Sequence, residues 1–216
     1  MKINFPKALN TKKYFINPIW IAHHDDKLYL QKLNKTSNKY INQAKKLNNK
    51  ATVFHSKSLI NVLEFKDLQN YIIATSQNLL TEMGYDLKEF DVCCTELWVQ
   101  EFDLKGGGNH SMHTHWNGHI SGFYFLKSSD ETSKPVFHDP RPGAVMNLLP
   151  ELDKTKLSYA TSQINFNPKP GTIMFFPSYL PHEYTVDLSK KPFRFIHFNC
   201  QAFPKTLKEK RWKHIK

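Results

Sequence analysis

Arginine is nearly absent from this strongly basic chain. Only Arg141, Arg194 and Arg211 accompany the lysines that make up the rest of 30 basic residues, against 19 acidic ones, for a formal charge of +11 over 216 residues. Nucleic-acid readers cluster their charge and favour the planar guanidinium fork, so a diffuse lysine excess reads first as solvated surface, with a nucleic-acid partner the lesser expectation. Cysteine is scarce too. Cys93 and Cys94 are adjacent and Cys200 stands apart, a spacing that excludes a disulfide framework or a zinc knuckle and suits a reducing, cytoplasmic setting. No apolar run approaches the ~18 residues of a membrane span. The opening residues Met1 to Lys13 are polar and basic, without the apolar stretch of a secretory leader. Internal repeats and Gly/Ser linkers are also missing. With 40% apolar residues, the chain has enough material for one sizeable core and is expected to be a single domain, 1–216.

Local patterns divide that domain. Lys2–Lys13 reads as a polar arm, and Tyr14–Ile21, β-branched and aromatic, as a first strand interrupted at Pro18. Asp25 and Asp26 can cap a helix beginning near Lys27. A second helix places Leu68, Ile72, Thr75, Leu79 and Met83 on one face and stops at Gly84. From Phe90 onward, strand-like runs dominate: Val92–Glu101, Ile120–Leu126, Gln163–Phe166, Thr172–Phe176 and Phe193–Asn199. Turn residues separate them, among them Gly106–Gly108, Asp139–Gly143 and Pro168–Gly171. The expectation is a strand and supporting helices over 1–89, an all-β body over 90–203 forming a sandwich or barrel with helices packed on it, and a basic tail over 204–216.

The chemistry concentrates in histidine. Five of the 11 histidines fall at His110, His113, His115, His119 and His138, with His182 and His197 further on. On a strand, the i, i+2 spacing of His113 and His115 turns both imidazoles to one face, about 7 Å apart at the backbone. A third ligand must come from elsewhere in the sheet, and His182, in the loop after the strand ending at Ser178, qualifies. Imidazole ligation suits Zn, Cu, Fe or Ni, and three ligands leave an open site for catalysis rather than a closed structural one. His110, His119, His138 and His197 are read as hydrogen-bonded core or surface residues.

Arg194 lies inside the run Phe193, Phe195, Ile196 and Phe198. A guanidinium there is costly unless paired, and no acid lies on its own strand, so a small-molecule carboxylate is one solution, the alternative being an arginine at a strand end that reaches solvent or a distant Asp.

Taken in order, His113-Thr-His115, Ile120–Leu126, Val136–Arg141, Pro170–Ser178, His182 and Arg194 to Asn199 resemble the Fe(II)/2-oxoglutarate-dependent oxygenases. The likeness is nearest to the bacterial and phage 2OG-Fe(II) oxygenase family related to prolyl 4-hydroxylases. It runs from about Trp98 to Asn199, and Tyr14–Ile21 resembles the family's opening segment. The resemblance implies a mainly β fold with N-terminal helices, a double-stranded β-helix or jelly roll packed against α-helices. It implies His113 and His182 as iron ligands, with His115 where many members carry Asp. It also implies Arg194 and Tyr124 as the residues that hold the far carboxylate of 2-oxoglutarate. A neutral imidazole in place of a carboxylate adds one unit of positive charge to the iron site and shifts its redox properties. Asp139 is the alternative carboxylate. Ile196 departs from a serine often found two residues after the Arg.

The implied activity is a dioxygenase, using Fe(II), 2-oxoglutarate and O2, that couples oxidative decarboxylation of the keto acid to hydroxylation of a prime substrate. Kinship with prolyl hydroxylases makes a prolyl peptide or protein the first expectation, in a bacterial or phage-infected cytoplasm. Phe123, Phe125, Phe175 and Phe176 are candidates for an apolar pocket or for plain core, Asp139 and Arg141 for substrate contacts, and Gly106–Gly108 for a lid or a hairpin tip. Two other classes compete. One is a cupin-type metal enzyme that does not use 2-oxoglutarate; the other is a basic, non-catalytic binding module.

Overall fold

The computed structural model describes residue 13 and residues 15–116, 118–146 and 149–206. The polar arm up to residue 12 and most of the basic tail lie outside them. Ten strands, β1 (Trp20–His23), β2 (Val53–His55), β3 (Phe90–Phe102), β4 (His110–His113), β5 (Ile120–Lys127), β6 (Pro135–His138), β7 (Gln163–Asn165), β8 (Thr172–Pro177), β9 (His182–Tyr184) and β10 (Phe193–Pro204), form two antiparallel sheets. The six-stranded sheet runs β1-β8-β5-β10-β3-β2, and the four-stranded one β4-β9-β6-β7. Together they make the double-stranded β-helix, or jelly roll. Helices α1 (Lys27–Leu47) and α2 (Lys66–Glu82) cover the outer face of the larger sheet, and a short α3 (Pro142–Met146) follows β6.

Alternation along the strands sorts side chains into two cores. Facing the helices, Leu97, Val99, Tyr124, Leu126, Ile173, Ile196 and Phe198 pack on Leu33, Ile41, Leu68, Ile72 and Leu79. Facing the small sheet, Phe102, Phe123, Phe125, Met174, Phe176, Phe193 and Phe195 pack on Phe137, Leu180 and Tyr184. Each such side chain contributes about 1.5–3 kcal/mol by leaving water. Among the candidate pocket residues, Phe123, Phe125 and Phe176 are therefore inter-sheet core, and Phe175 faces the helices.

Local signals explain the elements. Asp26 caps α1, accepting a hydrogen bond from the Tyr29 N–H at 2.9 Å. Gly84, at φ +93°, lets the chain leave α2. At Gly122 the β5 backbone passes so close to Met174 O and the Phe198 ring that no side chain fits. The first strand differs from expectation: it is Trp20–His23, pairing with β8 from Trp20↔Phe175 to His23↔Thr172, and residues 15–19 are not in the sheet. Proline lacks the N–H that the ladder needs.

Candidate active site

Three histidines meet at the open end between the sheets. β4 and β9 pair with His113 opposite His182, which sets two imidazoles side by side, with ring centroids 4.5 Å apart. His115 is not on that strand. β4 ends at His113, and His115 sits in the following loop, where its N–H donates to Ser178 O at 2.9 Å. The expected strand spacing is thus replaced by a loop tied to the end of β8, yet the ring still arrives, with its Nε2 3.3 Å from His182 Nε2. One nitrogen from each of the three lies within 4.8 Å of the others.

Hydrogen bonds set the tautomers. His113 Nδ1 donates to Ser111 O at 2.7 Å, and His182 Nδ1 donates to Leu180 O at 2.9 Å. Both rings therefore present an Nε2 lone pair, the form a metal requires. Asn199 orients His115. Its Oδ1 accepts from Ser121 Oγ at 2.6 Å, and its Nδ2 donates to Glu96 and, at 3.2 Å, to His115 Nδ1. The remaining His115 proton then lies on Nε2, directed at His182.

Burial keeps His182 and His115 uncharged. Desolvation pushes His182 down to about 2 and His115 down to about 3, helped in each case by the neighbouring histidines. Neutral imidazoles converging on one point are a donor set suited to a ferrous or other borderline cation.

His197 is buried and His110 half-buried, as a core reading expects, and both lie beside the trio. His197 stacks on Trp98 at 4.2 Å and lies 4.8 Å from the His115 ring; His110 lies 5.9 Å from His113. The signal was present in β10, where the odd positions 193 to 199 share the inner face. His119 and His138 are structural as expected: His119 Nδ1 accepts from the Ala202 N–H, and His138 pairs with Glu183 at 3.1 Å.

The two residues expected to hold the keto acid are elsewhere. Arg194 faces the helices, on the opposite side of the sheet from the histidines. It is 3% exposed and bound to Glu101, to Ser37 Oγ at 2.9 Å and to Asn38 Oδ1 at 2.7 Å; Lys45 joins the same Glu101 at 2.6 Å. The acid missing from its own strand stands directly across on β3, where Arg194 is in register with Glu101. Tyr124 also faces outward, its hydroxyl 3.1 Å from His24 Nδ1. Both follow from alternation: Arg194 and Tyr124 occupy even positions whose odd neighbours, Phe195 and Phe123, fill the interior. Asp139 is likewise engaged, by Arg141 at 2.7 Å. Gly106 and Gly107, both at positive φ, form a turn between β3 and β4.

A jelly roll holding an open three-histidine centre defines a class, the non-haem metal oxygenases and their relatives. Residues 96–199, which carry all three histidines, match the family model described as "Putative 2OG-Fe(II) oxygenase", and over that region the chain resembles the Fe(II)/2-oxoglutarate-dependent oxygenases, a class that uses Fe(II), 2-oxoglutarate and O2. Similar solved structures share the fold. The non-haem α-ketoglutarate-dependent epimerase SnoN of nogalamycin biosynthesis has TM-score 0.60 at 10% identity, over 86% of this chain and 76% of its own. AviO1 from Streptomyces viridochromogenes Tue57 has 0.58 at 11%, over 86% and 90%. A Pseudomonas putida prolyl-4-hydroxylase has 0.57 at 9%, over 86% and 88%. No curated protein matches the chain. No helix among the described residues is long and apolar enough to cross a membrane.

Proposed function

We propose that the protein is a hydroxylase of the prolyl 4-hydroxylase type, with His113, His115 and His182 holding the iron and a prolyl peptide or protein as prime substrate. The convergence of three imidazoles, two already in the ligating tautomer, carries the metal assignment. When bound, iron activates O2 at the expense of the keto acid and oxidises a C–H bond of the substrate.

The chain's own residues do the rest. Ser111 O and Leu180 O fix two ligand rings, and Asn199, braced by Ser121 and Glu96, fixes the third. Phe123, Phe137 and Phe176 pack around His182 and exclude water from its buried side. On the outer side, a groove of about 250 Å³ opens beside His115, lined by Thr114, Trp116, Gly118, His119, Tyr179 and Tyr85 among others. Trp116 is 93% exposed there. Aromatic faces of this kind suit a proline ring, and the positive charge of the chain favours an acidic peptide by long-range attraction. The likeness to the Pseudomonas putida prolyl-4-hydroxylase supports this substrate class.

The test is anaerobic loading with Fe(II), addition of 2-oxoglutarate and O2, and measurement of succinate with and without proline-containing peptides. The expected result is succinate release stimulated by a peptide that gains the mass of one oxygen atom, with His182→Ala losing both iron and turnover. Iron retention and turnover in His182→Ala would overturn the ligand assignment. Succinate release that no prolyl peptide stimulates or is modified by would overturn the substrate assignment.

A further inference from the structure

Seven buried side-chain polar atoms among the described residues have no hydrogen-bond partner, and five of them belong to one wall of the interior. They are Trp98 Nε1, Gln100 Nε2, His110 Nε2, Tyr184 Oη and His197 Nε2. Trp98 and Gln100 come from the inner face of β3, His110 from β4, Tyr184 from β9 and His197 from β10. Ring contacts join them: His197 to Trp98 at 4.2 Å, and His110 to Tyr184 at 6.2 Å. The wall reaches the metal centre, with His197 4.8 Å from the His115 ring and His110 5.9 Å from the His113 ring. Gln100, Tyr184 and His197 are each only 3% exposed. Orphaned buried polar groups are rare in folded proteins, and five on one wall call for an occupant.

The donor inventory says what kind. An indole N–H and an amide NH2 only donate. A tyrosine hydroxyl carries a proton and can donate as well, and that of Tyr184 has no partner. A wall of donors wants an acceptor-rich partner, and a carboxylate offers about four lone-pair sites.

We propose that the far carboxylate of 2-oxoglutarate is held by uncharged donors on this wall, namely the Tyr184 hydroxyl, the Gln100 amide and the Trp98 indole N–H, with no guanidinium taking part. The proposal rests on reading the three histidines as the iron site. Charge supports it. A dication with three neutral imidazoles carries two positive charges, and the keto diacid brings two negative ones. A site with one carboxylate ligand and one arginine reaches the same sum of zero. His115 in place of a carboxylate and Arg194 turned to Glu101 are therefore compensating departures: each alone would leave the buried complex charged. Glu96, the carboxylate beside the site, is bonded by Asn199 and reaches solvent with 27% of its side chain, so it stands outside that sum.

The test compares ligands as well as variants. Wild-type protein loaded with Fe(II) under argon is titrated calorimetrically with 2-oxoglutarate and with 2-oxobutanoate, which chelates alike but has no far carboxylate. Wild type should prefer the diacid. Tyr184→Phe, Gln100→Leu and Trp98→Phe should each weaken 2-oxoglutarate by roughly 10- to 100-fold, the usual worth of a hydrogen bond to a charged group. Binding of 2-oxobutanoate and of iron should stay as in wild type, and Tyr184→Phe, which deletes an unpartnered hydroxyl, should melt at or above the wild-type temperature. If wild type binds no 2-oxoglutarate, the oxygenase reading of the site fails and the proposal with it. If wild type prefers the diacid but all three variants keep that preference, the donor wall alone is overturned. Loss of the preference in Arg194→Lys, with those three variants unchanged, would return the carboxylate to arginine.

Discussion

Cutting the pair between Arg194 and Glu101 should cost stability and leave cosubstrate binding alone. The guanidinium and carboxylate are 4% and 8% exposed, and Arg194 Nε lies 2.5 Å from Glu101 Oε2. Glu101→Ala leaves a guanidinium buried against Ser37 and Asn38 without a counter-charge, and Arg194→Met leaves the carboxylate with only the half-exposed Lys45. Removing one partner of such a pair costs about 3–5 kcal/mol, whereas replacing both with apolar groups of similar volume is often neutral. For a chain of this size, the single variants should melt roughly 6–20 °C lower. The double variant Glu101→Leu/Arg194→Met should recover most of that, a large coupling in a double-mutant cycle. The assay is urea and thermal unfolding followed by circular dichroism, with 2-oxoglutarate titrated below each variant's transition. An Arg194→Met protein that melts like wild type but has lost 2-oxoglutarate binding would refute the reasoning.

Acid should destabilise the metal-free protein early. His182 is pushed down to about 2 in the fold, so between the ordinary histidine range near 6.5 and that value the unfolded chain binds more protons. Its contribution is complete above about pH 6.5 and is lost as pH falls. At pH 5 the loss is about 2 kcal/mol from this ring alone, and a melting-temperature profile that stays flat from pH 7.5 to 5 would contradict it. Gly122→Ala places a methyl against Met174 O and the Phe198 ring, so it should unfold the sheet or cost well over 3 kcal/mol, and normal expression with wild-type melting would show the contact to be wrong. Trp116→Ala, at an exposed position lining the groove, should leave melting and peptide-free succinate release unchanged while weakening the prime substrate; equal peptide stimulation in both proteins would remove that groove from the substrate path.

Much of this fold was legible in the sequence because its patterns are local. Asp26 before Lys27, Gly84 after Met83 and the alternating strands from Phe90 onward each fix an element through capping, backbone freedom or period-two burial. The histidine trio was legible in part. His113 lies on a strand as expected, but His182, expected in a loop, opens β9, and His115, expected on a strand, arrives through a loop whose path depends on its bond to Ser178 O, a contact 63 residues away that no local pattern encodes. Arg194 shows the complementary failure. Its cost inside an aromatic run was recognised, but its partner lies on the neighbouring strand, and the alternation that turns it outward was available in the same run. Reading Phe193, Phe195 and His197 as one face would have placed Arg194 on the other and flagged His197 as a site neighbour.

The last strand is a partition with different business on each side. Its odd residues furnish a histidine and an asparagine to the metal chamber, and its even ones anchor the helical buttress through a buried ion pair. A single-residue insertion or deletion near Pro192 would trade these roles wholesale, swinging a cation into the chamber and aromatics into the buttress. β10 should therefore tolerate substitutions that keep its parity far better than any change of length.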